Sequence, residues 1–176
     1  MKNIPALLLV LFFSTLMSAQ QSAPAPKPPA PPPPPAESRQ FDFWLGEWEV
    51  TGPKGKVVGR SRIEKIASGW GLLENWESAG APGKSLNAWN PAKKCWQQFW
   101  VGSGGGILEL RGGLDAQGRM VMQGESPNPA GPGTVLNRIT WTPNADGTVR
   151  QAWDISTDAG ATWQLSFDGL YRHPAK

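Results

Sequence analysis

Three short segments of the sequence repeat one pattern: an apolar residue, a polar residue and a tryptophan, each two positions apart. The polar members are Glu74, Gln98 and Gln151, and the tryptophans that follow them are Trp76, Trp100 and Trp153. Residues two apart share a face of a β-strand, so each triplet would present a polar group beside an indole ring. Indole faces can stack on a ligand while amide or carboxyl groups orient it. The pattern therefore indicates a small-molecule binding site.

Further polar residues extend this face. Asn87 lies two positions before Trp89, with Ser85 at the same period, and Asn137 lies two positions before Ile139. A filled core rarely buries so many amides and acids without partners. The predicted ligand-binding residues are Glu74, Trp76, Asn87, Gln98, Trp100, Arg138, Gln151 and Trp153. A mutually satisfied polar network inside a filled barrel is the alternative that the pattern leaves open.

Catalytic chemistry finds less support in the sequence. The single histidine, His173, lies at the C-terminus, which argues against a Ser-His-Asp triad or a conventional zinc site. A carboxylate pair drawn from Glu74, Asp154 and Asp168 is the remaining option, since burial would raise the pKa of Glu74. Glu74 could equally form a structural ion pair with Arg138 or Arg62. We predict no catalytic residue, no metal and no cofactor, and favour a binding protein over an enzyme.

Amino-acid composition further limits the class of protein to which the chain can belong. The 176 residues carry 17 Lys+Arg and 14 Asp+Glu, a net charge of +3 that is too small and scattered to indicate nucleic-acid binding. One cysteine, Cys95, excludes an internal disulfide framework. The 21 Gly, 18 Pro and 10 Trp are typical of a turn-rich globular protein. The oligomeric state is left open.

The N-terminal region predicts export. Lys2, the apolar run 7–13 and Ala19 match a signal peptide over residues 1–19, with an uncleaved anchor as the alternative. The run is too short for a membrane span, so no stable membrane insertion is expected after cleavage. Residues 20–40 hold nine of the 18 prolines and predict a disordered linker, acting as a spacer, a proline-motif ligand or a passive tail. The folded domain, 41–176, would then lie in the periplasm or outside the cell.

The sequence of the domain that must position these side chains predicts an all-β fold. Short alternating runs are separated by clusters of Gly, Pro, Asn and Asp, without a sustained helical period. Ten strands are predicted, near 46–51, 57–67, 70–78, 85–90, 94–102, 106–112, 119–126, 134–142, 148–156 and 161–172. Short links imply antiparallel neighbours, and closure into an up-and-down barrel removes the sheet edges. In the tenth strand, Trp163, Leu165, Phe167 and Tyr171 are expected to share the inner face.

The opening FDFWLGEWEV and three later segments resemble a family of uncharacterised bacterial secreted proteins. The later segments are GKSLNAWNP (83–91), NRITWTPNADGTVRQAW (137–153) and STDAGATWQLSFDGLYR (156–172). The resemblance covers about residues 41–172. It implies secretion but no particular chemistry, because the family has no established activity.

A wider resemblance is to the calycins, which include the lipocalins, the fatty-acid-binding proteins and nitrobindin-like barrels. Gly46-Glu47-Trp48 is similar to the lipocalin Gly-x-Trp at the start of the first strand. The resemblance implies that Trp48 plugs the closed barrel end and that a late arginine, Arg172, covers it. Nitrobindin-like barrels use a late histidine as a haem ligand, which makes His173 either such a ligand or an exposed tail residue.

Residues 156–163 (STDAGATW) resemble the Asp-box, S-x-D-x-G-x-T-W, of sialidase propellers. A propeller needs several copies, and one is present. We therefore predict a structural hairpin in which Asp158 accepts backbone N–H bonds, Gly160 takes a positive φ and Trp163 packs beneath.

Together these patterns predict a secreted calycin-like barrel that binds a small, partly apolar ligand inside. A carbohydrate or peptidoglycan interaction module with exposed tryptophans is one alternative. A structural envelope protein with a filled barrel is another.

Overall fold

The computed structural model describes residues 30–175, and in that range the protein is an all-β barrel. Three short 3₁₀ segments and ten strands follow one another along the chain. The strands are β1 (Gly46–Thr51), β2 (Val57–Ile66), β3 (Gly71–Glu77), β4 (Gly83–Asn90), β5 (Cys95–Gly102), β6 (Ile107–Leu114), β7 (Met120–Pro127), β8 (Thr134–Pro143), β9 (Val149–Ser156) and β10 (Gln164–Arg172). The predicted strand number and fold class are confirmed.

The predicted signal peptide, 1–19, and the first part of the predicted linker lie outside the described residues. Within residues 30–175, no helix has the length and apolar character needed to cross a membrane.

Each strand pairs antiparallel with its sequence neighbour, and β1 pairs with β10 to close the barrel. The pairing of β1 with β10 runs from Glu49 opposite Arg172 to Thr51 opposite Leu170. Because the chain runs up and down, alternate loops gather at opposite ends. We call the end with loops 52–56, 78–82, 103–106, 128–133 and 157–163 the mouth, and the opposite end the base.

Alternation along the strands decides which side chains enter the barrel. In β9, Gln151 and Trp153 lie opposite Trp141 and Ile139 of β8, so all four face inward. The tenth strand departs from the predicted alternation. Its register shifts between Leu165 and Phe167, and Leu165 is 54% exposed while Phe167 packs against the core. The extra residue at this bulge reverses the face of everything before it, which simple alternation does not anticipate.

The base is closed by the chain that precedes β1. Two 3₁₀ segments, Ala36–Arg39 and Asp42–Trp44, lead into the barrel. Phe41 and Trp44 are fully buried and stack on each other with ring centroids 4.8 Å apart. Both also contact the ring of Trp141. This aromatic cluster fills the base.

The chain packs on the barrel earlier than residue 41. Ser38 is buried, and Gln40 accepts a hydrogen bond of 3.1 Å from Trp96 Nε1. The last residues of the predicted linker therefore belong to the closure of the base. These residues, 36–40, follow Pro35, the final proline of the run.

Trp48 lies in the base beside this cluster and donates its Nε1 hydrogen to Trp44 O at 2.9 Å. The residue that covers it is His173, whose ring stacks on Trp48 at 3.9 Å. Arg172, which we expected in that place, is exposed and lies opposite Glu49 on the outer face. Tyr171 points inward, so alternation turns Arg172 outward and brings His173 back to Trp48. Gly46 begins β1 at a φ of +122°, and a Cβ there would lie 3.1 Å from the His173 ring.

Candidate functional site

Toward the mouth, aromatic rings lie along the barrel wall on top of glycines. The Trp76 ring rests on Gly59 of β2, and the Trp100 ring rests on Gly83 of β4. A Cβ on Gly59 would come within 2.5 Å of Trp76 Cη2, and one on Gly83 would collide with Trp100 in the same way. The absence of a side chain on these glycines is what lets each ring come this close to the neighbouring strand.

Phe167 repeats the arrangement on β10. Its ring lies 2.7 Å from where a Cβ on Gly169 would be. It also meets Trp76 edge-on, with centroids 6.1 Å apart. Three aromatic side chains near the mouth therefore each pack against a glycine of the barrel wall.

The inward side chains of the two halves differ in burial. In the base they are fully buried, whereas Trp76, Trp100, Gln151, Trp153 and Phe167 point inward and stay half-buried. We call the mouth half of the interior, lined by these side chains, the lumen.

The floor of the lumen is a chain of hydrogen bonds that ends on Glu74. Gln98 Nε2 donates to Asn87 Oδ1 at 2.7 Å, and Asn87 Nδ2 donates to Ser85 Oγ at 2.8 Å. Ser85 Oγ donates to Glu74 Oε2 at 2.8 Å, and Ser61 Oγ donates to Glu74 Oε1 at 3.1 Å. All five residues are buried. Strands β2 to β5 position them side by side through their register.

Burial dominates the acidity of Glu74. The carboxyl group is 5% exposed, and its removal from water raises its pKa from 4.5 to about 7, against the opposing effect of the Ser85 and Ser61 hydrogen bonds. Tyr171 lies buried near it and donates its hydroxyl hydrogen to Gln151 Oε1. Burial, and then the Glu74 charge, raise the pKa of Tyr171 well above 10, so this hydroxyl stays protonated as a donor.

A second polar cluster lies on the opposite wall. Trp153 Nε1 donates to Asn137 Oδ1 at 3.0 Å, and Asn137 Nδ2 donates to Ser126 Oγ at 3.0 Å. This fixes the Trp153 ring in the wall. The amides of Gln98 and Gln151 differ from Asn137 because each has one polar atom without a hydrogen-bond partner among residues 30–175. Neither atom is sealed from solvent, so both are available to a ligand.

Seven of the eight predicted ligand-binding residues face the interior, and Arg138 does not. Its guanidinium lies on the outer face, 3.3 Å from Asp154 and 4.1 Å from the centre of the Trp163 ring. The neighbours of Arg138 in β8, Asn137 and Ile139, point inward, so alternation turns Arg138 outward.

The other predicted carboxylates also lie outside the barrel. Asp168 accepts two hydrogen bonds of 2.8 Å from Arg150, and Asp154 pairs with Arg138. Neither reaches Glu74, so the two-carboxylate arrangement needed for glycosidase chemistry is not assembled. Arg62, the other suggested partner of Glu74, pairs with Glu64 at 2.7 Å on the outer face.

The Asp-box segment forms a tight turn at the mouth. Asp158 Oδ1 accepts the Thr162 backbone N–H at 2.8 Å, and its other oxygen accepts the Thr162 hydroxyl at 2.5 Å. These bonds lower the pKa of Asp158 to about 2. Gly160 takes a φ of +92°. Both oxygens of the Asp158 carboxylate are therefore used in hydrogen bonds within the turn. The Arg138 guanidinium lies over the Trp163 ring.

Metal chemistry has no support in the described part of the chain, where no three His, Cys, Asp or Glu side chains converge. What the lumen offers is recognition by aromatic faces, amides and one protonatable carboxyl group.

Sequence reasoning missed Ser61, Ser126 and the glycines under the aromatic rings. Ser61 could have been predicted to face inward, because Gly59, Ser61 and Ile63 follow the same two-residue alternation on β2 as the other inward residues. Gly59 and Gly83 carried a weaker signal, because the rings that contact them lie on neighbouring strands and depend on register.

Comparison with known proteins adds no assignment: neither the protein-family models nor the curated protein sequences contain a match to this chain. The function must be argued from the lumen itself.

Proposed function

We propose that the protein is a secreted or periplasmic binding protein that holds a small, partly apolar ligand in the lumen of its barrel. The observation that carries this proposal is the placement of Trp76, Trp100 and Phe167 on glycines. In the base, aromatic rings pack on one another and fill the interior. Near the mouth each ring packs instead against a glycine of the wall, above a buried polar floor.

Polar groups without partners supply the second support. Ordinary cores satisfy their buried amides, while Gln98 and Gln151 each keep one amide atom available to the lumen. Export is supported by the signal-peptide pattern in residues 1–19. The proposed role is therefore to sequester or carry a small molecule in the cell envelope or outside the cell.

Native mass spectrometry of the chain isolated from its own envelope fraction tests the proposal. We expect a mass excess that disappears on denaturation. Trp100→Ala removes one aromatic side chain from the wall of the lumen. The fraction of the protein that carries the ligand should fall at least tenfold. Trp163→Ala is the matched control, since it removes an indole from the outer face, and it should retain the ligand.

Two outcomes would contradict the proposal. A bare polypeptide mass from the native source would favour a filled or structural barrel. Loss of a bound glycan on Trp163→Ala, with Trp100→Ala unaffected, would favour the exterior carbohydrate-binding alternative.

A further inference from the structure

Glu74 is an acid with no cation facing it. Its inward neighbours across the sheet are Ser61 and Ile63 on β2 and Ser85 and Asn87 on β4. None of these carries a charge.

The other residue whose titration is coupled to Glu74 is Tyr171 on β10, and it is neutral. The basic side chains on the flanking strands bind elsewhere. Arg60 pairs with Glu49, Arg62 with Glu64, and Lys84 with Asn75, all on the outer face. Within residues 30–175, the lumen therefore contains a carboxyl group without a counter-charge.

The hydrogen bonds around Glu74 are ordered for a negative charge. Starting at Gln98, each donor points to the next acceptor, and the last two donors are the Ser85 and Ser61 hydroxyls on the two carboxyl oxygens. An ionised carboxylate accepts hydrogen bonds and donates none, so this order suits the charged form. Burial opposes that same form. A cation entering the lumen would relieve the conflict.

The wall above Glu74 suits a cation as well. Trp76 lies one pleat nearer the mouth on the same strand, and Trp100 lies opposite Ser85. Both side chains point inward and stay half-buried, so part of each indole ring is accessible within the lumen. The face of an aromatic ring is its negative side and attracts ammonium groups.

We propose that the lumen selects an organic cation, an ammonium group carried on an apolar or aromatic body. The ammonium group would pair with the Glu74 carboxylate, and the body would lie against Trp76 and Trp100. This inference rests on the proposed function, since it names the chemical class of the ligand held in the lumen.

The test compares three soluble probes that share a phenyl body: 2-phenylethylammonium, 2-phenylethanol and 3-phenylpropanoate. Binding to the full chain is measured by calorimetry at pH 8, after any native ligand has been removed by unfolding and refolding. We expect the cation to bind at least tenfold more tightly than the alcohol, and the carboxylate to bind most weakly.

Two variants assign the preference to Glu74. Glu74→Gln should reduce the ratio of cation to alcohol affinity to about one. Glu77→Gln removes the same charge from the exposed face of the same strand. It should keep the wild-type ratio, which excludes a general effect of net charge.

The pH dependence in the wild-type protein does not require any variant to fold. Cation affinity should fall by roughly tenfold for each pH unit below 7, because the carboxyl group becomes protonated while the probe stays charged. The affinity for 2-phenylethanol should not change between pH 5.5 and pH 8.

The outcomes separate this inference from the proposed function. Equal binding of cation and alcohol, or tighter binding of the carboxylate, would overturn the inference and leave a lumen that binds apolar molecules. Failure of all three probes to bind at millimolar concentration, together with a bare mass from the native source, would overturn both.

Discussion

The base and the mouth half of the barrel are built from the same residue type in opposite ways. In the base, Trp44 and Trp141 turn their rings toward each other and toward Phe41, so aromatic contacts fill the interior. Near the mouth, Trp76 and Trp100 lie against the sheet, each on a glycine of the adjacent strand. The indole ring is the same in both halves, and what differs is whether the neighbouring strand leaves room for it.

Polar groups follow the same division. The base cluster buries Trp44 Nε1 and Trp141 Nε1 without a hydrogen-bond partner among residues 30–175, which costs free energy that the dense aromatic packing must offset. Next to the mouth, Trp153 Nε1 is paired with Asn137, and a continuous chain of donors leads to Glu74. From this contrast we expect the base to contribute most of the stability, and the mouth half to be the part that the proposed ligand contacts.

The strongest test of this division compares two tryptophans. Trp44→Ala should lower the free energy of unfolding by about 3–5 kcal/mol, because it opens a cavity in a fully buried cluster. Trp100→Ala should lower it by about 1–2 kcal/mol, because this side chain is only half-buried. Urea unfolding measures both, and equal losses would break the comparison.

The second test uses the acidity of the lumen floor. Folding raises the pKa of Glu74 from 4.5 to about 7, so the folded protein holds its proton to higher pH than the unfolded chain. Stability from this group is therefore fully present below pH 4.5 and is lost as the pH rises to 7. The loss is about 3 kcal/mol at 1.4 kcal/mol per pKa unit.

Unfolding free energies at pH 4.5, 6 and 7.5 should show this decline in the wild-type protein and its absence in Glu74→Gln. The exposed turn carboxylate of Asp158 has a lowered pKa, so its contribution is lost on acidification below pH 4 and does not overlap. A parallel decline in both proteins would mean that another group is responsible.

The third test concerns the glycines. Gly83→Ala places a Cβ against the Trp100 ring and 2.6 Å from Val101 O, so it should destabilise the fold by about 1–3 kcal/mol and displace the ring into the lumen. Binding of 2-phenylethanol should weaken in parallel. Gly104→Ala meets no atom within 4 Å and is the control. Unchanged stability and binding in Gly83→Ala would show that the ring does not depend on the glycine.

Much of the fold could be predicted from the sequence because turns and alternation are local signals. The hairpin links after Asn90 and around Gly118 and Gly147 stand out by composition, and the strand boundaries follow them closely. The bulge before Phe167 could not be predicted, because an inserted residue leaves the composition of the strand unchanged.

The kinds of residue in the candidate site could be predicted from the sequence, but their contacts across strands could not. Alternation placed Glu74, Gln98 and Gln151 on the inner face, and it would also have excluded Arg138, which sits between Asn137 and Ile139. The link from Ser61 to Glu74 and the pairing of Trp100 with Gly83 depend on which residues face each other across strands. Alternation would likewise have excluded Arg172 as the cover of Trp48, since the neighbouring Tyr171 was already predicted to face inward. The contact of His173 with Trp48 joins two strands across the seam and could not be predicted from local pattern.

The seam between β1 and β10 sets the order in which the barrel can be assembled. Nine pairings join strands that follow one another in the chain, so each requires closure of a short loop alone. The seam joins Thr51 to Leu170, 119 residues away, through a three-residue register. Contacts so distant in sequence form late. In a chain that emerges N-terminus first, one edge of β1 therefore stays unpaired until β10 becomes available. The time for which the barrel remains open is set by the arrival of this C-terminal strand.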